Sequence, residues 1–269
     1  MRNNIIRAST VLAVLSLLPF NLYAKTKQDE LSAANLNQAD TTSQEVYQLS
    51  YVEREPGTDE YEVTMLVSDR YIRVDEPGEK SGYIIYDDKD RVIYSVSHFD
   101  RSVLVIREHP FSEGSSPVKT AVEYLQLDDA PNVSGKAIFN YRIFIDDKNK
   151  NTIAGVSEEE TCTEIQLVEG LLPEVSKILQ NYQKVVSGQQ VKMTDNKITE
   201  IQTDCYYADQ IYNTGAYYEK GLPVQEWHSN ERSRLLTGYD KIPVDSEKFK
   251  VPADYKQFSV DKNSKIPMP

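Results

Sequence analysis

The oxygen-bearing residues of "DKNKNTIAGVSE" fall at the spacing of a calcium loop. Asp147, Asn149, Asn151 and Glu158 occupy its positions 1, 3, 5 and 12, the pattern with which a loop wraps a hard cation in oxygen ligands. Position 6 is Thr152 where the sharp turn calls for glycine, and strand-like runs flank the segment where such a loop has helices. A polar hairpin turn rich in Asp, Asn and Lys explains the same letters, so the segment reads as a turn, with calcium as the alternative. Paired carboxylates recur at Asp87-Asp88, Asp128-Asp129 and Glu158 to Glu160. They have the composition for general acid–base work, but solvated turns explain them better. "SVSHFD" sets Ser97, His98 and Asp100 side by side, yet triad members converge from distant segments, so this adjacency carries almost no weight. The chain has three histidines and no GxSxG, HExxH, GxxxxGK[ST], GxGxxG or CxxC. The expectation is a protein that is not an enzyme and uses no cofactor.

Two cysteines, Cys162 and Cys205, remain as reactive side chains, and their use depends on compartment. The chain opens with Arg2 and Arg7 around a short apolar run, Ala8 to Leu18, followed by Leu22-Tyr23-Ala24. This is the layout of a cleaved secretory signal peptide, too short for the roughly 20 apolar residues that span a bilayer. Residues 1–24 are therefore read as a signal peptide cut after Ala24, and the mature chain as periplasmic, with no membrane-spanning segment left. In an oxidising compartment two cysteines read as one disulfide, with two free thiols as the alternative. Closing a loop of 43 positions contributes about 4 kcal/mol in the chain-entropy picture. The formal charge is −12, and losing Arg2 and Arg7 takes it to −14. That balance argues against nucleic acid and anionic membrane as main partners, since both attract Lys and Arg.

The elements that must position these residues are mostly strands. From Val46 to Glu108, "VYQLSYV", "EYEVTMLV", "YIRVD", "GYIIYD", "RVIYSVS" and "SVLVIRE" alternate with turns such as "EREPGTDE" and "EPGEKSG", which predicts an antiparallel meander. Tyr61, Val63 and Met65 alternate with polar residues, giving that strand one wet face. "GYIIYD", "RVIYSV" and "SVLVI" are apolar on both faces, so the centre of the sheet must be covered on both sides. Further strands are read at "AVEYLQLD", "KAIFNYRIFID" and "TCTEIQLVEG". Helical spacing then places Leu171, Val175, Ile178, Leu179, Tyr182 and Val186 on one side of a helix running to about 187, with Gly188 at its end. "CYYADQIYNTGAYYEKG" carries five tyrosines. Its spacing predicts a second helix with Tyr207, Tyr212 and Tyr218 inward and Cys205 tethered to Cys162. "LPVQEWHS", "SRLLTGYDKIPV" and "EKFKVPADYKQF" complete the strands. Residues 25–44 form an N-terminal segment with a weak helix around Leu31 to Leu36, residues 45–258 one domain with a helical insert at about 171–218, and residues 259–269 a disordered tail. With 39% hydrophobic residues the mature chain can bury a real core.

Signal peptide, meander, mid-chain helices bracketed by cysteines, and a closing "FKVPADY" together resemble bacterial periplasmic proteins of the outer-membrane lipoprotein carrier (Lol-type) fold. The chain is more closely similar to an uncharacterised exported family thought to share that fold, whose members often finish with Phe-x-x-Pro-x-x-Tyr, here Phe249, Pro252 and Tyr255. The resemblance covers residues 45 to 258 and implies an α+β, mostly β protein. Its curved antiparallel sheet would be an incomplete barrel, with helices covering the concave face over an apolar cavity. In the carriers that cavity holds acyl chains, and no catalytic residues carry over. The acidic excess and the cysteine pair set this chain apart from the carriers.

The function expected from these readings is non-enzymatic binding of an apolar ligand, a lipid or lipidated protein, between sheet and helices. Candidate lining residues are Ile85, Val105, Phe139, Ile143, Ile178, Tyr207, Tyr212 and Trp227, the last read as a core tryptophan. Burying an acyl chain contributes about 0.8 kcal/mol per methylene before association costs. The alternative is an envelope interaction or assembly subunit with a filled core, whose acidic, tyrosine-rich surface suits a protein partner.

Overall fold

A computed structural model describes residues 43–75, 82–112, 116–146, 160–194 and 203–259. The predicted signal peptide, the predicted weak helix, the candidate calcium loop and the chain beyond residue 259 lie outside these residues.

Among the described residues, twelve strands form one open, curved sheet: β1 (Ser43–Arg54), β2 (Tyr61–Val67), β3 (Tyr71–Asp75), β4 (Tyr83–Asp87), β5 (Val92–Ser97), β6 (Ser102–Arg107), β7 (Thr120–Gln126), β8 (Ile138–Ile145), β9 (Thr161–Val168), β10 (Leu222–His228), β11 (Ser233–Asp245) and β12 (Lys256–Ser259). Their order across the sheet is β12-β6-β5-β4-β3-β2-β1-β11-β10-β9-β8-β7. The fold is thus α+β and mostly β, as expected. Two meanders, β1 to β6 and β7 to β11, are joined along one long antiparallel seam between β1 and β11, which runs from Ser43 opposite Asp245 to Arg54 opposite Ser233. A bulge between Ser50 and Tyr51 bends the seam, and the Thr237 hydroxyl donates to the Ser50 carbonyl there, 3.1 Å.

Both faces of the central strands are buried, and different parts of the chain cover them. One face carries Leu49, Met65, Ile72, Ile84, Tyr86, Ile143 and Ile165 in a single apolar cluster with Val175, Ile178, Leu179 and Val185 of the long helix α1 (Pro173–Thr194). The other face carries Tyr83, Ile85, Val92, Val96, Val103 and Val105, and the segment that packs on it is the C-terminal one, through Val251 and Tyr255. This segment is a strap. It starts at a 3-10 turn, Ser246–Phe249, whose Phe249 ring stacks on Tyr71 at 5.6 Å. Arg73 Nη1 donates to the Lys248 carbonyl at 2.6 Å, and the Tyr83 hydroxyl to the Lys250 carbonyl at 3.0 Å. His98 Nδ1 and the Tyr255 hydroxyl share a hydrogen bond of 2.7 Å, and Arg101 pairs with Asp254 beside it. Phe249 and Tyr255 of the closing motif therefore anchor the strap to the sheet. Having crossed the face, the chain returns as β12 parallel to β6, the one departure from the antiparallel expectation.

Helix α1 continues past Gly188, where the sequence reading ended it. A Cβ at Gly188 would sit 2.2 Å from the His109 carbonyl oxygen, so glycine marks a close crossing of the chain after β6. Next to it, Gln189 Nε2 donates to the Arg107 carbonyl at 2.7 Å. Propensity alone would favour alanine in the helix by about 0.5–1 kcal/mol, but overpacking a closed contact costs about 1–3 kcal/mol. Gly188→Ala is expected to lower the urea midpoint at unchanged slope. A raised midpoint would show that the crossing can open freely.

Candidate functional site

At one end of the seam the covered face of the sheet turns from apolar to charged. Alternation along β1 points Leu49, Tyr51 and Glu53 inward, and the next inward position is Glu55. Register does the rest. Glu53 lies opposite Arg234 on β11, and Arg234 opposite Glu226 on β10, so three adjacent strands carry a glutamate–arginine–glutamate row. Arg234 Nε and Nη2 both reach Glu53 Oε1, at 2.7 and 2.6 Å. Glu226 is held more loosely. Its Oε1 lies 4.0 Å from Arg234 Nη1, and its Oε2 lies 3.4 Å from the Tyr217 hydroxyl and 3.7 Å from His228 Nε2.

His228, two residues on from Glu226, faces the same side and lies opposite Thr163 on β9. Its Nδ1 bonds both oxygens of Asp209, at 2.8 and 2.9 Å, and the Thr163 hydroxyl donates to Asp209 Oδ1 at 2.5 Å. Asp209 belongs to a π-helix, Tyr206–Tyr212, and the disulfide explains how a short, poorly bonded helix is held there. Cys162 and Cys205 are joined, as the sequence reading expected. Cys162 precedes Thr163 on β9 and Cys205 heads the π-helix, so one covalent tether brings Asp209 against Thr163 and His228.

The row and the histidine form one wall of a small polar cleft between sheet and helices, about 80 Å³ in volume. Glu55, Arg232 and Ser233 extend that wall, Met65 and Val74 give it an apolar floor, Tyr182, Gln183 and Val186 of α1 cover it, and Gln210 and Thr214 close one side. The turn Glu55–Thr58 fixes Glu55. Pro56 and Gly57 stand at its two central positions, Gly57 has φ of 75°, and the Thr58 N–H donates to the Glu55 carbonyl at 3.0 Å, the geometry that requires glycine in a type II turn.

Electrostatics bind the cluster together. Burial alone would lower the His228 pKa, but the Asp209 carboxylate outweighs it and raises the imidazole above its ordinary value. Burial would raise Asp209, and the His228 charge and hydrogen bond hold it below the carboxylate range. Glu226 is lowered in the same way, against burial, by the neighbouring His228 and the Arg234 charge. Burial pulls Arg234 down, while Glu53 and Glu226 hold it well above its usual value. Glu55 goes the other way. Burial raises its carboxyl group, with Arg232 opposing.

None of the eight predicted lining residues borders this cleft. Ile143 and Ile178 sit in the helix-side core, and Phe139 packs on its margin, stacked on Tyr124 at 5.0 Å. Ile85 and Val105 belong to the opposite face, under the strap. Tyr218 is inward as expected, Tyr207 and Tyr212 are only half-buried, and the other inward tyrosine is Tyr217. The cause is the π-helix, whose i→i+5 bonding turns Ala208, Asp209 and Ile211 inward instead. Trp227 is 37% exposed, because its neighbours Glu226 and His228 take the inner positions of β10. The residues that form the site carry one sequence signal, carboxylates at Glu53 and Glu55 that continue the inward period of Leu49 and Tyr51. Among the described residues no cluster of His, Cys, Asp and Glu could hold a metal ion, and no helix is long and apolar enough to cross a membrane.

No family model and no curated protein matches the chain. Among solved structures it is similar to an uncharacterised conserved protein from Thermus thermophilus, with a TM-score of 0.37 and 6% identity over 80% of this chain and 90% of that one. It is also similar to PNGF-II, with a TM-score of 0.36 and 7% identity over 81% of this chain and 31% of that one.

The pKa directions give a stability window. His228, raised on folding, contributes stability that is complete below its unfolded value of about 6.5 and is lost as pH rises through the folded one. Asp209 and Glu226, lowered on folding, contribute above unfolded values of about 4 and lose that contribution as pH falls through the folded ones. Asp209→Asn is expected to cost about 3 kcal/mol, since it leaves His228 buried without its partner, and to flatten the alkaline side of the Tm-against-pH profile. A variant profile parallel to wild type would refute the pairing.

Proposed function

We propose that the protein is an exported, non-enzymatic periplasmic binding protein, and that the cleft between sheet and helices is its binding site. The observation that carries this reading is the placement of the cleft. It lies where the helices meet the sheet, walled by three strands, α1, and Gln210 of the π-helix with Thr214 beyond it, and lined by charged side chains that packing would otherwise exclude. The open sheet with helices on one face supports the resemblance to the lipoprotein-carrier fold. The apolar cluster of the helix side is contiguous, and the polar lining favours a polar ligand group over the acyl chain that the resemblance implies.

The site has the chemistry of binding rather than turnover. His228 is the residue best placed for general-base work, and both its nitrogens face charged groups, Nδ1 the Asp209 carboxylate and Nε2 Glu226 at 3.7 Å with Arg232 3.3 Å away. A base needs a free lone pair within reach of a proton it can remove, and a nucleophile of the triad type needs its hydroxyl or thiol at the outer nitrogen. The Thr163 hydroxyl, 3.5 Å from His228 Nδ1, donates to Asp209.

Val186 of α1 lines the cleft and is only partly buried, so Val186→Phe fills the space without invading the core. In a thermal-shift screen of small polar molecules, some compounds are expected to raise the Tm of the wild type and lose that effect on the variant. Compounds that stabilise both equally would place binding elsewhere and sink the reading. Native mass spectrometry of protein from its own periplasm supplies the physiological candidates.

A second reading, an envelope interaction subunit, is favoured by one observation. Trp227 and Leu235, 37% and 42% exposed, are diagonal neighbours on the face away from the helices, where Gln225 pairs with Leu235 and Trp227 with Ser233. Exposed tryptophan is typical of contact centres. Crosslinking in intact cells is expected to yield a protein adduct that Trp227→Ala removes, and an adduct indifferent to that change would count against this face.

A further inference from the structure

Among the described residues, one carboxylate of the cleft has no hydrogen-bond or ion-pair partner. Glu53 takes Arg234, Asp209 takes His228 and Thr163, and Glu226 lies among Tyr217, His228 and Arg234. Glu55 is as buried as they are, 7% exposed, and its side chain lines the cleft. Its backbone N–H and carbonyl are closed on Thr58. Among the described residues its carboxyl group has neither a hydrogen bond nor an ion pair. Charge leads to the same residue. Asp209, Glu53, Glu55 and Glu226 stand against His228, Arg232 and Arg234, so the cluster is one cation short. Arg232 opposes its charge without pairing with it, a largely buried carboxylate without a bonded partner is costly, and the Pro56–Gly57 turn fixes the backbone from which it faces the cleft.

Resting on the binding reading above, we propose that Glu55 is the counter-ion for a primary alkylammonium group of the ligand. Ammonium supplies the donors the carboxylate lacks and restores neutrality. About 80 Å³ suits a compact head with a short stem, and the apolar floor and cover, Met65, Val74 and Val186, suit the methylenes that follow it. A free short diamine and the lysine side chain of a protein partner present the same group, and affinity separates them.

The test is calorimetry on the mature chain with four probes: 1,4-diaminobutane, a capped Gly-Lys-Gly peptide, 1-pentanol and succinate. At least one amine probe is expected to bind, and Glu55→Gln to weaken it at least 10-fold while the variant's Tm equals or exceeds that of wild type, because an unpaired buried charge has been removed. Tighter binding of the diamine supports a free amine as ligand, and tighter binding of the peptide supports a partner's lysine. Amine affinity unchanged in Glu55→Gln overturns the proposal. So does binding of succinate or pentanol without the amines, in which case the cleft remains a binding site and only the cationic class falls. If none of the probes binds and the thermal-shift screen also finds no compound sensitive to Val186→Phe, the site and its ligand class fall together.

Discussion

Glu53, Arg234 and Glu226 form a charged row across three neighbouring strands on the covered face of the sheet, and much of the fold follows from keeping that row paired. Each ion taken from water costs several kcal/mol, and breaking a buried pair is more damaging than never having had one. The row lies across the seam between β1 and β11, whose partners are almost two hundred residues apart in the chain. No hairpin turn sets the register of that seam, unlike those within the two meanders. A slip of one residue would send Arg234 to the opposite face and leave two carboxylates buried against each other. The ionic row therefore specifies the one pairing that joins the halves of the molecule, while the apolar seam residues supply most of the attraction.

The disulfide does for the helical layer what the row does for the sheet. A π-helix of seven residues has little stability of its own. Joining Cys205 to Cys162 fixes its start on β9, and the next residue of that strand, Thr163, donates to Asp209. Asp209 then holds His228, and His228 approaches Glu226 of the row. Covalent tether, buried hydrogen bonds and charge row form one continuous chain of contacts from helix to seam. The long-range connection is electrostatic at one end and covalent at the other.

The fold was largely legible in the sequence because local rules decide it. Short Val, Ile and Tyr runs between Gly, Pro and Asp turns mark the meanders, and the doubly apolar "GYIIYD" and "SVLVI" require covering on both faces. What escaped was the identity of the second cover, since "FKVPADY" has no period that distinguishes a strap from a strand. Gly188 was misleading for a related reason. A glycine that ends a helix and a glycine that admits a crossing carbonyl look the same until the crossing chain is placed. The site was less legible still. In "QEWHS" apolarity points Trp227 inward, and the structure inverts the alternation because Glu226 and His228 are satisfied by residues from β9, β11 and the π-helix. Burial of a charge depends on partners that only the tertiary fold assembles. Glu53 and Glu55 could be suspected from the inward period of β1, but the reason they are tolerated could not be read there.

The same charges explain why the helical layer leaves a cleft at this point. Over the rest of the face α1 packs apolar side chains on apolar strands, and contact to the limit of packing density is favourable. Where the sheet presents Glu53, Arg234 and Glu226, a closely packed helix would strip the row of its remaining hydration. The helix there offers Tyr182, Gln183 and Val186, a surface that shields the row without sealing it. Small volume, polar lining and an unpaired Glu55 thus have a common origin in the row. Glu53, which pairs across the seam, and Glu55, whose carboxyl group has no hydrogen bond or ion pair among the described residues, are two positions apart on one strand and its turn. Specifying the fold and creating a place for a cation are, in this protein, consequences of one alternating pattern.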